Sequence, residues 1–451
     1  MMNNFFRYRF VPEAGAITGG GTAPGACFDV CKPAAGYTQK IVIQGFDWGP
    51  AVTATIIRLE DAIQADSVRA GDFTVVEKKE AFDWAAMAAE HIVVSSPRKV
   101  LDAYACPSCG DRTTLPTQYI RLELSYGPNT GIPFCYDFYT SKNTWCAPYE
   151  LSVSLAANPA LTTIWGNRIA SLSVDPVIRF EDALLPQLGD FHRNGKFTGS
   201  DGKELRFAYY TPALQPGRKA PLVIWLHGAG EGGADARIAL LGNKIAALIG
   251  QEFQSALGGA YVLAPQTPGF WMEYDEEGHW QDNPGTASVY TKALRELIQA
   301  FVDKFTVDTD RILIGGCSNG GYMTMNMVLQ YPDVFAAAYP ICEAYKDSGI
   351  TDKQLEGIRN LPIWFTYAQN DTVVPPADYE APTIERLRAI NPNLRTSVFA
   401  DVHDTSGLYT NEDGTPYQYQ GHWSWFYFFN NECVDDTTGE NLWAWLGKQH
   451  K

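Results

Sequence analysis

Between Gln39 and Leu155 the hydrophobic positions come in short runs, several of them alternating with polar residues. The clearest are Lys40-Ile41-Val42-Ile43, Ala54-Thr55-Ile56-Ile57-Arg58-Leu59, Phe73-Thr74-Val75-Val76, Tyr119-Ile120-Arg121-Leu122-Glu123-Leu124 and Leu151-Ser152-Val153-Ser154-Leu155. A period near two puts one face of each run on a core, and almost no helix-length pattern separates them, which predicts a β-sandwich. Asp83 to Glu90 reads as a short helix or a loop. His91 stands alone on the way into a strand, where a structural role is expected. Residues 1–36, rich in Gly, Ala and Pro, carry little periodicity.

The pattern loosens over 156–185 and then changes kind. Leu205 to Tyr210, Pro221 to Leu226, Ala260 to Ala264, Arg311 to Ile314, Phe335 to Ile341 and Ile363 to Tyr367 read as strands, half of them wholly apolar. Helices are predicted over Ile238 to Leu248 and Ala287 to Phe305. In the second, Val289, Ala293, Leu294, Leu297, Ile298, Phe301, Val302 and Phe305 recur close to the helical period. Buried strands alternating with helices mean a parallel sheet covered on both faces, with its ligand site beyond the carboxyl ends of the strands. The expected organisation is an irregular segment at 1–36, a β-sandwich at 37–183 and an α/β domain at 184–451.

Candidate chemistry sits at those strand ends. Arg311 to Ile314 runs into Gly316-Cys317-Ser318-Asn319-Gly320 and then into the helical Tyr322 to Leu329. A serine on a strand-to-helix turn is strained and exposed, and glycines two residues away leave it room. After Val223 to Leu226 comes His227-Gly228-Ala229-Gly230-Glu231-Gly232-Gly233, a loop whose N–H groups, with that of Asn319, can hold an oxyanion. A phosphate cradle fits less well, because Glu231 would repel phosphate and no Gly-Lys-Ser/Thr follows. Here His227 is expected to make a structural hydrogen bond.

Asp371 follows the strand ending at Tyr367, where the acid of a Ser…Asp…His order belongs; an Asx-turn is the competing reading, and Asp378 a rival acid. Two histidines compete for the base. His403 follows the last predicted strand, whereas His422 has Gly421 beside it and Trp423 and Trp425 to wall off water. These surroundings favour His422. Between a strand and the long helix lie Trp271, Met272 and Trp280, aromatic and apolar residues that fit an acyl or aryl pocket, or a plug at the sheet edge.

The totals narrow the partners. A chain of 451 residues, 45% hydrophobic and 19% charged, is globular and long enough for two domains. Its formal charge of −16 speaks against nucleic acid, since phosphate binding needs a basic face. Nowhere do 18 apolar residues run together, so no membrane span is expected. The opening residues show no signal peptide, which sets reduced thiols and a cytoplasmic location as the expectation. Nine cysteines include Cys27, Cys31, Cys106, Cys109, Cys135 and Cys146. Cys106-Pro107-Ser108-Cys109 resembles half a zinc knuckle, with Cys27 and Cys31 as the other pair; a hairpin tip with thiols or a local disulfide is the favoured reading.

Together, the His227-Gly228-Ala229 loop, Gly316-x-Ser318-x-Gly320-Gly321, Asn370-Asp371-x-Val373-Val374-Pro375 and Gly421-His422-Trp423 resemble the α/β-hydrolases. More narrowly, they resemble esterases related to polyhydroxybutyrate depolymerases, feruloyl esterases and prolyl-oligopeptidase-like hydrolases. Some of these carry an immunoglobulin-like N-terminal domain, to which Phe46 to Val52 and Trp145 to Leu151 are similar. The resemblance implies an α/β-hydrolase fold behind an immunoglobulin-like sandwich. It further implies Ser318 as nucleophile, His422 as base, Asp371 as acid, and Ala229 and Asn319 as oxyanion donors. Glu231, Trp271, Met272, Trp280 and Trp423 are the candidate substrate contacts. The implied activity is that of a carboxylesterase-type serine hydrolase acting on a small-molecule ester, with no metal or cofactor. A serine peptidase acting on short peptides is the alternative, although no propeller-length repeat is present to gate peptides. Homo-oligomerisation stays open.

Overall fold

The computed structural model describes residues 37–275, 277 and 287–451; Cys27, Cys31 and Trp280 lie outside them. Two compact units divide between Gly189 and Asp190.

In the first unit, a four-stranded antiparallel sheet runs in the order Thr38–Phe46, Gly49–Ile63, Thr117–Leu124, Val100–Cys106. A second, three-stranded antiparallel sheet is ordered Ile92–Arg98, Phe73–Ala81, Tyr149–Leu155. Phe134–Asp137 and Lys142–Trp145 pair as a separate hairpin. The alternation read from sequence is visible in Phe73–Ala81, where Phe73, Val75 and Glu77 point inward and Thr74, Val76 and Lys78 outward. Glu77 is buried because Arg98 meets it at 2.6 Å and Tyr149 donates its hydroxyl to it. Arg98 also donates from Nε and Nη2 to the carbonyls of Val52 and Ser125, so the buried charge pair is tied into the backbone. Asp83 to Glu90 forms turns rather than a helix. Cys106 closes a strand, buried, while Cys109 is exposed in the turn beyond it; both are free thiols.

The second unit is built on one eight-stranded sheet. Its strands are β1 (His192–Thr198), β2 (Glu204–Tyr210), β3 (Ala220–Leu226), β4 (Tyr261–Gln266), β5 (Val307–Cys317), β6 (Ala337–Ile341), β7 (Ile363–Ala368) and β8 (Leu394–Phe399). They lie in the order β1-β2-β4-β3-β5-β6-β7-β8. The β1–β2 and β2–β4 pairings are antiparallel and the rest parallel. Every residue of β3 and β4 is buried, as their unbroken apolar runs predict for strands covered on both faces.

The helix Thr291–Lys304 buries Ala293, Leu294, Leu297, Ile298 and Phe301 against this sheet's core, so the predicted period holds. The helix expected over Ile238 to Leu248 is broken instead. It ends at Gly242 and resumes as a 3₁₀ turn, Ile245–Ile249, after a left-handed Lys244. At the break the Glu231 side chain packs so close that a Cβ on Gly242 would stand 2.7 Å from its Cγ. Among the described residues no helix is long and apolar enough to cross a membrane.

Candidate active site

Leu226 at the end of β3 pairs in register with Gly316 near the end of β5. That register decides the shape of the turn that follows. A Cβ on Gly320 would collide with the carbonyl oxygen of Leu226 and stand 2.6 Å from that of His227; on Gly316 it would also collide with Leu226. Both glycines are therefore required by backbone approach, not only by local turn geometry. Ser318 between them has φ 55° and ψ −117°, a conformation in which a non-glycine residue is strained. The strain is held by β6: Ser318 donates its N–H to Ile341 at 2.9 Å and accepts that of Ala344 at 3.2 Å.

Asn319 is the first residue of the helix Asn319–Gln330, and Ala229 is the first of a 3₁₀ turn, Ala229–Glu231. First-turn N–H groups have no partner within their own helix, so both predicted oxyanion donors come from positions where geometry leaves N–H groups to be satisfied from outside. The Asn319 side chain is fixed separately, its Oδ1 accepting the N–H of Trp271 at 2.7 Å. His227, buried, bridges the loop. Its Nε2 accepts the Thr267 N–H at 3.2 Å, which leaves Nδ1–H to donate to Gly228 O at 2.6 Å. This is the structural hydrogen bond expected of it.

His422 Nδ1 lies 2.7 Å from Asp371 Oδ2, with the carboxylate wholly enclosed and the ring 8% exposed. Asp371 also makes the Asx-type turn: its Oδ1 accepts the N–H groups of Val373 at 2.8 Å and Val374 at 2.9 Å. Asp371 thus makes the Asx-turn with one oxygen and meets His422 with the other. Gly421 lets the histidine loop close on the acid loop, since a Cβ there would stand 2.7 Å from the carbonyl oxygen of Asn370. Gln420 Oε1 accepts the His422 N–H at 2.6 Å and steadies the turn. His403 is elsewhere engaged, paired with Asp401 at 2.6 Å and 42% exposed, and Asp378 is exposed.

The candidate substrate contacts fare less evenly. Trp271 is fully buried and Met272 nearly so, both in the sheet's core, with the Trp271 ring 5.2 Å from that of His227 and 6.2 Å from that of Tyr290. A ring with no exposed surface has none to offer a ligand; the hydrogen bond to Asn319 draws this segment down onto the elbow as a plug. Glu231 is buried too, against Gly228 and Gly242. Trp423 remains partly exposed, beside Trp425, whose ring stands edge-on to His422 at 5.9 Å.

Cys317 is enclosed, and burial, then the nearby Glu231 charge, hold its thiol well above the ordinary range, so it is inert filler next to the serine. Two further acids, Glu343 and Glu380, are enclosed close in sequence to the elements that carry Ser318 and Asp371. Both are fully buried, and burial pushes both carboxyls well above their usual range, for Glu380 with the charge of Glu343 added. Glu343 Oε2 accepts the Tyr345 N–H at 2.5 Å, while its Oε1 and both oxygens of Glu380 have no hydrogen-bond partner. Glu343 also packs against Gly321, where a Cβ would stand 2.7 Å from its Cα, so this acid supports the first turn after Ser318.

Comparison with known proteins follows the same division. Residues 38–166 match the esterase Ig-like N-terminal domain, and residues 286–346, which contain the elbow, match the prolyl oligopeptidase family. The crystal structure of a thermostable esterase superposes with a TM-score of 0.70 at 24% identity, covering 93% of this chain and all of that one. Poly(3-hydroxyalkanoate) depolymerase C of Paucimonas lemoignei is 28% identical over 151 residues, 32% of each chain. Probable acetylxylan esterase A of Aspergillus terreus is 27% identical over 163 residues, 35% of this chain and 48% of that one. The chain thus spans about a third to a half of the length of these curated relatives. Strand order, elbow and matched domain together give the chain the α/β-hydrolase fold, preceded by an immunoglobulin-like domain of the esterase type.

Proposed function

We propose that the α/β unit is a serine carboxylic-ester hydrolase working through an acyl-enzyme on small to medium acyl or aryl esters, feruloyl, acetyl or polyester-like. The observation that carries this reading is the buried 2.7 Å bond between His422 Nδ1 and Asp371 Oδ2. A carboxylate on Nδ1 fixes the tautomer that leaves Nε2 free to take a proton, and it stabilises the imidazolium that follows. His422 removes the Ser318 hydroxyl proton as the oxygen attacks the ester carbonyl. The oxyanion rests on the Ala229 and Asn319 N–H groups, and His422 then protonates the leaving alcohol. Water repeats the sequence on the acyl-enzyme and releases the acid. Each oxyanion donor is worth on the order of a hundredfold or more in rate.

Support for an ester as substrate comes from the relatives, one named a poly(3-hydroxyalkanoate) depolymerase and one a probable acetylxylan esterase. The prolyl oligopeptidase match over residues 286–346 is what a peptidase reading would rest on. That stretch spans the elbow, which both chemistries share. The deciding experiment compares wild type with Ser318→Ala on p-nitrophenyl acetate, a longer p-nitrophenyl ester, a feruloyl ester and a peptide amide. Ester turnover that falls by roughly 10⁴-fold or more in Ser318→Ala is expected. Undiminished turnover sinks the mechanism, and amide cleavage faster than ester cleavage replaces the esterase with a peptidase.

A further inference from the structure

A second chemically dense cluster lies in the immunoglobulin-like unit. Glu80 is near the end of the strand Phe73–Ala81, His91 immediately precedes its antiparallel neighbour Ile92–Arg98, and Cys135 sits on the hairpin strand Phe134–Asp137. One ligand atom from each lies within 4.8 Å of the other two. The same ring nitrogen, His91 Nδ1, is 2.7 Å from Glu80 Oε1 and 3.6 Å from Cys135 Sγ. On the opposite side of the ring, buried Nε2 makes no hydrogen bond and faces Asp137 Oδ2 at 3.7 Å. Cys135 is 2% exposed, and the Phe82 ring closes over the imidazole at 6.0 Å.

An ion pair alone would need one carboxylate against one imidazole. Here two carboxylates and a thiol converge on a single ring, and one Nδ1 proton cannot serve both Glu80 and Cys135. We propose that Glu80, His91 and Cys135 form a binding site for a borderline divalent metal, zinc by its ligand chemistry, with Asp137 as the outer carboxylate that orients the imidazole. Tetrahedral zinc with Zn–N of about 2.05 Å and Zn–S of about 2.3 Å has an N–S edge of roughly 3.6 Å, the separation between Nδ1 and Sγ. The N–O edge of the same tetrahedron is about 3.3 Å, so Glu80 has to withdraw by about 0.6 Å as the metal replaces the proton between it and the ring.

Binding balances simply. The Cys135 thiol loses its proton to solvent, the ring proton resides on Nε2 where Asp137 accepts it, and water takes the fourth position. Without a metal the enclosed thiol keeps its proton, its pKa pushed up by burial to about 11. The ion would staple the hairpin to both neighbouring strands of the three-stranded sheet.

The test uses the full chain, stripped with chelator and titrated with Co²⁺ and then Zn²⁺. One equivalent of Co²⁺ with a thiolate-to-cobalt charge-transfer band and tetrahedral d–d bands is expected, displaced by Zn²⁺. Cys135→Ser removes the charge-transfer band, His91→Ala lowers zinc affinity at least a hundredfold, and Asp137→Asn lowers it about ten- to a hundredfold. A Cys106→Ser/Cys109→Ser double variant keeps the band, and far-ultraviolet circular dichroism of each variant verifies folding. Less than half an equivalent bound, a band that survives Cys135→Ser, or a band lost with Cys106 and Cys109 overturns the site.

Discussion

The side-chain oxygen of Asn319 accepts the backbone N–H of Trp271 at 2.7 Å, joining the residue after Ser318 to the aromatic loop after β4. The bond is buried, so its loss leaves the Trp271 N–H without a partner. Asn319→Ala keeps the backbone donor of the oxyanion pair but is expected to destabilise the protein by about 1–3 kcal/mol. Urea unfolding monitored by tryptophan fluorescence measures this. A change below about 0.5 kcal/mol would show that the loop holds itself.

Gly320 has no space for a side chain, because a Cβ would run into the Leu226 carbonyl. Gly320→Ala is expected to abolish ester turnover or prevent folding. Gly357→Ala is the control: a Cβ there meets nothing within 4 Å, and the residue closes a helix at ordinary φ. That substitution should be neutral or stabilise by up to about 1 kcal/mol in thermal unfolding. A fully active Gly320→Ala enzyme would refute the register that brings β3 onto the elbow.

Asp371→Asn should leave the fold intact and lower kcat by about 10⁴-fold, because the amide can bond to the wrong tautomer of His422. His403→Ala, by contrast, should keep wild-type kcat, since that ring is paired with Asp401 at the surface. Steady-state kinetics on p-nitrophenyl acetate separates the two; a larger loss from His403→Ala reverses the assignment of the base.

Glu343 and Glu380 should make stability fall as pH rises. Burial raises both carboxyls above their ordinary value of 4.5, so the folded chain holds protons that the unfolded chain has released. The unfolded state binding fewer protons gives a negative slope, at most about 1.4 kcal/mol per pH unit for each group, from pH 4.5 up to the raised folded values. The Glu343→Gln/Glu380→Gln variant should show a flatter dependence of Tm on pH across that window, and greater relative stability at its upper end. Parallel curves for variant and wild type would mean that the pair is not protonated in the fold.

Much of the molecule was legible from residue patterns. The alternating runs of the sandwich, the apolar runs of the buried strands β3 and β4 and the helical period over Thr291–Lys304 all reflect local burial, which a pattern records directly. The helix break after Gly242 was not legible, because a helical period does not record that Glu231, from the loop before the helix, folds back into the space beside that glycine. The aromatic loop likewise stays open in the sequence between an acyl or aryl pocket and a plug at the sheet edge, and in the fold Trp271 and Met272 are buried in the core. Composition tells that a loop is apolar, not which side of the sheet edge it turns toward.

By itself the sequence determined the parts of the candidate site: the elbow, the glycine loop, an acid after β7 and two competing histidines. Only the tertiary structure shows which of the two meets Asp371, because that depends on which loop can close onto it, and the one that does is His422. Gly421 permits that approach against Asn370, while His403 finds Asp401 two residues away. It is likewise the packing that enclosed Glu343 and Glu380, and that gathered Glu80 and Cys135 from separate strands onto the imidazole of His91. Such convergence is set by sheet register and chain crossing, which no local pattern of residues encodes.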